Sequence, residues 1–235
     1  MRLHIACMQC LVDNSRPSED LVSFEFRDDG RYTLTCSAGH TTTTILQQMR
    51  FQVLFEIGLH AIGDGYYRES ISSFSSSLER TYEFMVRALL SAKAVPQAAV
   101  DESWKLIASQ SERQFGAFAL LWASAFREAP SVLPKTQTEL RNAVIHKGKL
   151  PTRNEAVEFG QAVLDVLQPK LKRLGTEFAD SVDGMVREHL VRGAHGEGRI
   201  STVAMPLALD PLGGDVLDMG KHLARVSRRR GVRAG

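Results

Sequence analysis

Cys7-Met8-Gln9-Cys10 and Cys36-Ser37-Ala38-Gly39-His40 between them account for all three cysteines of the chain, each placed close to another metal-type ligand. Two close pairs held apart by a long insert fit a closed tetrahedral zinc, with Cys7, Cys10, Cys36 and His40 as a Cys₃His set. Such a metal joins two short loops and stabilises a module too small to hold itself together by a core. Four protein ligands leave no position for water, so the zinc expected is structural rather than catalytic. His4 is an alternative fourth ligand. The competing reading, in which Cys7 and Cys36 are small buried hydrophobes and His40 is incidental, leaves the pairing unexplained. Three cysteines are too few for a disulfide framework and suit a reduced compartment, so a cytoplasmic protein is expected.

The insert contains two β-prone runs, Leu21-Val22-Ser23-Phe24-Glu25-Phe26 and Arg31-Tyr32-Thr33-Leu34-Thr35, joined by the turn signal Asp28-Asp29-Gly30. Together they read as a β-hairpin that carries the second ligand pair back to the first. A zinc-ribbon-like module is therefore expected over residues 1–48.

Beyond it the apolar period is helical. Residues 41–61 carry Ile45, Leu46, Met49, Val53, Leu54 and Ile57 before Gly63-Asp64-Gly65 interrupts them. Tyr67, Ile71, Phe74, Leu78, Tyr82, Met85 and Leu89 follow at steps of three and four, the strongest helical pattern in the chain. Residues 101–127 continue the period with Trp104, Ile107, Phe115, Phe118, Trp122 and Phe126, and at helical spacing these aromatics read as core rather than as a base-stacking platform. Two capping boxes come next, Thr136-Gln137-Thr138-Glu139 and Thr152-Arg153-Asn154-Glu155. The second helix is expected to break near Pro169. A further amphipathic stretch holds Phe178, Val182, Met185, Val186 and Leu190, then a glycine-rich loop over 193–198 and a linker over 206–214. The fold expected is mainly α, a helical bundle over 49–175 preceded by the β-hairpin zinc module, with a helical extension, linker and basic tail over 176–235.

Charge is segregated. Lys221, Arg225, Arg228, Arg229, Arg230 and Arg233 close a chain whose net charge is only +2, which leaves the remainder acidic and reads as a basic tail able to hold RNA. No apolar run reaches the roughly 20 residues of a membrane helix and no signal-peptide core opens the chain, so no membrane partner is expected.

On the short helix from Thr136, Leu140, Ala143 and Val144 form the core stripe, while Arg141, Asn142, Ile145 and His146 occupy the opposite arc. A permanent cation, an amide, an imidazole and an exposed isoleucine on one arc suit a helix that faces a partner and a ligand. Arg141 and His146 lie about 140° apart round the axis, able to flank one phosphate but not to touch. The bland alternative pairs Arg141 with Glu139 or Glu155 and leaves His146 to cap the helix C-terminus. Glu79, Arg80, Glu83 and Arg87 read as a salt-bridged face of the preceding helix.

Arg141-Asn142-Ala143-Val144-Ile145-His146 resembles the R-x4-H signature, with Asn in second place, of HEPN (higher eukaryotes and prokaryotes nucleotide-binding) domains. Gly65-Tyr66-Tyr67-Arg68-Glu69-Ser70 and Leu78-Glu79-Arg80-Thr81-Tyr82-Glu83-Phe84 are similar to the preceding core helix of prokaryotic members, so the resemblance spans about residues 50–175. It implies a small helical bundle that forms a homodimer. In active members it implies metal-independent endoribonuclease activity in toxin, abortive-infection or antiviral systems, with RNA as substrate and an antitoxin or sensor as partner. Arg141, Asn142 and His146 would be the catalytic residues, and the alternative is a catalytically silent dimer that binds nucleic acid or protein.

Overall fold

The computed structural model of the 235-residue chain describes residues 2–15, 21–195, 200–205, 207–211 and 216–231. Its elements begin β1 (Leu3–Ala6), α1 (Met8–Asn14), β2 (Leu21–Phe24), β3 (Arg31–Thr35), β4 (Thr41–Leu46), α2 (Arg50–Asp64) and α3 (Tyr67–Ala92). They continue α4 (Gln97–Lys105), α5 (Ser111–Phe126), α6 (Lys135–His146), α7 (Arg153–Glu177), α8 (Ala179–Gly193), β5 (Ile200–Val203) and α9 (Met219–Gly231). Among the described residues the chain is mainly helical, with the strands confined to a unit made of Met1–Met49 and Gly184–Pro206. Arg50–Asp183 and Leu207–Gly235 make the second unit.

In the first unit the strand pairing differs from the expected hairpin. β2 pairs antiparallel with β1, placing Leu3 opposite Phe24, whereas β3 turns back on β4 and β4 runs parallel to β5. The cause lies in Thr41-Thr42-Thr43-Thr44-Ile45, an unbroken run of β-branched residues that is stiff at χ1 and fits a pleated surface better than a helix. Thr33 and Thr35 meet Thr43 and Thr41 across the ladder, hydroxyl to hydroxyl, at 3.4 and 3.1 Å. The helix expected over 41–61 therefore starts only at Arg50. β4 is central and buried on both faces from Thr42 to Leu46. β5 falls inside the expected C-terminal extension and is too short to stand out in the sequence. Its Ser201 Oγ lies 2.8 Å from Thr44 Oγ1.

In the second unit α3 forms where its spacing predicts, after the Gly65 turn at φ +81°. Phe74, fully buried, sits between α2 and α7 in two notches. A Cβ on Gly58 would lie 2.5 Å from the ring and one on Gly160 2.7 Å from it, so both positions require glycine for this close approach. Tyr82 stacks on Phe118 at 4.4 Å, and Phe118, Trp122 and Phe126 continue as a column of rings along α5, a core role as expected.

Three helical expectations are corrected and one capping box forms. Residues 101–127 divide into α4 and α5, because Ser109-Gln110-Ser111-Glu112-Arg113 offers no apolar residue to bury. Turns at Ile107 and Ala108 intervene, and Gln114 Nε2 donates to Ala108 O at 2.6 Å. Thr136 caps nothing: α6 starts at Lys135 behind Pro134. The second capping box does form, with Glu155 N donating to Thr152 Oγ1 and Thr152 N to Glu155 Oε2 at 3.2 and 2.8 Å. α7 then runs unbroken through Pro169, since the fully buried Leu167, Leu171 and Leu174 outweigh one lost backbone hydrogen bond.

The expected linker and tail are also revised. Gln52 Nε2 donates to Leu209 O at 2.8 Å, Leu209 is fully buried, and Gln168 exchanges two hydrogen bonds with the Asp210 backbone. Met219, His222 and Val226 of α9 are buried, and Arg225 pairs with the buried Glu56, which also accepts from Ala208 N at 2.9 Å. Up to Ser227 the basic stretch is thus a docked amphipathic helix rather than a solvated tail. Residues 196–199, 206, 212–215 and Arg233, together with the side chains of Arg228, Arg229 and Arg230, lie outside what is described.

Candidate functional site

The four expected ligands come together. Cys7 is the residue preceding α1 and Cys10 lies in its first turn. Cys36 and His40 bracket the β3–β4 turn, which closes through Gly39 N to Cys36 O at 2.9 Å and Cys36 N to His40 O at 3.1 Å. Gly39 sits at φ +82°, a left-handed conformation that costs glycine nothing and lets the turn bring Cys36 and His40 back to one side. The four ligand atoms all lie within 4.8 Å of one another. Cys10 Sγ is 3.7 Å from Cys36 Sγ and 3.3 Å from His40 Nδ1, and Cys7 Sγ is 4.0 Å from that nitrogen.

Those separations match a metal. Zn–S and Zn–N bonds of about 2.3 and 2.0 Å in a tetrahedron give edges of roughly 3.5–3.8 Å. A disulfide would need its sulfurs about 2.05 Å apart, and all three cysteines are free thiols. They are buried, whereas a core built only for packing would not gather three thiols around an imidazole nitrogen. Burial and hydrogen bonds with Cys36 and Cys7 push the Cys10 thiol up to about 12. At Cys36 burial acts in the same sense, but the backbone N–H groups of His40 and Ala38 and the neighbouring thiols outweigh it and lower the group to about 7. Zinc would bind these groups as thiolates, replacing their protons. The residues fit structural zinc, which they would hold as three thiolates and one imidazole. His4 does not join the cluster; its buried Nδ1 has no hydrogen-bond partner in the described protein.

The second candidate group lies on α6. Val144 is fully buried, Arg141 and Asn142 are half-buried, and His146 is exposed. Ile145 is half-buried, not exposed. Arg141 pairs neither with Glu139 nor with Glu155: its Nη2 donates to Glu79 Oε1 on α3 at 2.7 Å, and its Nη1 to Asn142 Oδ1 at 3.2 Å. Glu79, which the sequence groups with a salt-bridged face, is therefore part of this constellation. Its neighbours do form that face, Arg80 and Arg87 both binding Glu83. His146 is the exposed last residue of α6, where its helix ends and Gly148 turns the chain at φ +72°. Arg141 and Asn142 are thus in contact, and His146 shares only their helix.

No described helix is long and apolar enough to cross a membrane. Comparison with family models, with characterised proteins and with solved structures returned no match.

Proposed function

We propose that the chain is a metal-independent endoribonuclease of the HEPN type, acting on RNA in the cytoplasm as a homodimer within an antiviral or toxin system, with the zinc module selecting a substrate or a partner such as an antitoxin or sensor. The observation that carries this reading is the fixing of Arg141 by Glu79 and Asn142 on the same short helix that ends in the exposed His146. RNA cleavage without a metal needs a base to take the proton of the 2′-hydroxyl as its oxygen attacks phosphorus. It also needs an acid to protonate the departing 5′-oxygen, and a cation beside the equatorial oxygens. His146 is of the type that moves protons near neutral pH, and two copies supply base and acid. Arg141 is the cation, oriented before substrate arrives. The products are a 2′,3′-cyclic phosphate and a 5′-hydroxyl end.

One observation favours the silent-binder alternative: Glu79 already neutralises Arg141, and a phosphate must compete with it. The test is cleavage of RNA by purified protein. His146→Ala and Arg141→Ala are each expected to lower it by about 10² or more. The melting curve should stay near wild type for the exposed His146, and fall modestly for Arg141→Ala, which leaves the half-buried Glu79 without its partner. Wild-type protein that binds RNA without cutting it replaces the nuclease with the binding module, and a His146→Ala variant that cuts equally well overturns the assignment of His146 to the reaction.

A further inference from the structure

We propose that Asp13 is the outer partner of the metal site, holding His40 with its proton on Nε2 so that Nδ1 presents a lone pair to zinc. The two nitrogens of His40 face opposite neighbours. Nδ1 lies among the sulfurs, 3.3 Å from Cys10 and 4.0 Å from Cys7, and Nε2 lies 3.4 Å from Asp13 Oδ2. A neutral imidazole carries one proton, so a carboxylate at one nitrogen decides which nitrogen is free to bind metal. Asp13 is itself oriented, its Oδ1 accepting from Gln9 Nε2 at 2.6 Å.

The placement follows from the helix. Cys10 and Asp13 are three residues apart on α1, and positions at that spacing share a face. Ligand and outer partner therefore rise together toward His40, and the pattern in sequence is Cys7-x2-Cys10-x2-Asp13. Charge decides whether the arrangement helps. Three thiolates around Zn²⁺ already leave one net negative charge, and a further carboxylate close by would oppose them. Asp13 stands on the solvent side with its side chain 42% exposed, so water screens that repulsion, whereas the contact to the ring is local. The net effect is a fixed tautomer and a fixed ring orientation, the role carboxylates play behind metal-bound histidines. The inference concerns the zinc module alone and is independent of the nuclease reading.

The test uses the full chain, with zinc affinity measured by competition against a chromogenic chelator. Asp13→Ala is expected to weaken zinc binding by about 10–100-fold, and Asp13→Asn, which keeps an acceptor oxygen, by less. Val12→Ala, at an exposed position of the same helix, controls for any change in α1 itself and should bind as wild type. The thiolate-to-metal bands of the cobalt(II)-loaded Asp13→Ala protein should keep their positions, since the four ligands are unchanged. Wild-type zinc affinity in Asp13→Ala, or an equal loss in Val12→Ala, overturns the proposal. If Asp13→Ala does not fold, Asp13→Asn decides in its place: weaker binding supports the proposal and wild-type affinity overturns it.

Discussion

In the first unit the side chains that close the fold are three thiols and an imidazole; in the second they are rings seated in notches left by glycine. Cys7, Cys10, Cys36 and His40 gather at the ends of short elements, α1 with seven residues and β3 with five, that bury little on their own. Phe74 lies between Gly58 and Gly160 on helices of fifteen and twenty-five residues, α2 and α7. A small unit depends on a few strong bonds to one ion, a larger one on many weak contacts, and the two should fail under different insults.

The largest expected effect comes from removing a ligand. Cys36→Ser should reduce metal content from about one zinc per chain to none and abolish ordered packing in the β3–β4–β5 sheet, since structural zinc supplies on the order of 10 kcal/mol in small modules. Metal analysis and near-ultraviolet dichroism would read it, with the helical signal largely kept. Phe74→Ala should do the converse. It empties both notches and is expected to cost about 3–5 kcal/mol in a denaturant melt of the helical unit, with zinc content unchanged.

A smaller effect, opposite in sign, is expected at Lys170. Its side chain is buried beside Trp122, with Nζ donating to Ser131 Oγ and Val166 O at 2.5 and 2.8 Å, and among the described residues no carboxylate pairs with it. Burial lowers this amine to about 8. From there up to the unfolded lysine value of about 10.4, the unfolded chain binds more protons than the folded one, so stability rises with pH across that window and is lowest below it. The depression corresponds to on the order of 3 kcal/mol at neutral pH. Lys170→Met should therefore stabilise the protein at pH 7 by about 1–3 kcal/mol and flatten the rise between pH 7 and 9.5 in urea melts. Above about pH 10 the buried phenol of Tyr82, pushed above its usual range, acts in the opposite direction, which sets the upper limit of the useful window.

What could be read in the sequence divides along the same line. Ligand identity is written in residue type and spacing, so the metal cluster was legible before any strand was placed, and α3 was legible because seven apolar residues keep one period. Partners across space were not. The Thr41–Thr44 run was masked by Ile45 and Leu46, which fit a helical period equally well; a strand was favoured by β-branching and by pairing with residues 200–203 far along the chain. Pro169 signals a break that burial of its neighbours overrides, and Leu209 is core in a stretch whose prolines and glycines read as linker. Asp13 and Glu79 lacked a signal of their own. Each matters through one contact, with His40 or Arg141, that only the folded chain supplies.

The division between a metal-held unit and a core-held unit is tested most directly by amide hydrogen exchange on the full chain, with zinc bound and after its removal by chelator. Stripping the metal should erase protection in Leu3–Ala6, Arg31–Thr35 and Thr41–Leu46 while α2, α3 and α7 keep theirs, and adding zinc should restore it. Protection in those strands that survives chelation would contradict the dependence on zinc, and loss of protection in all of these segments together would contradict the independence of the helical core.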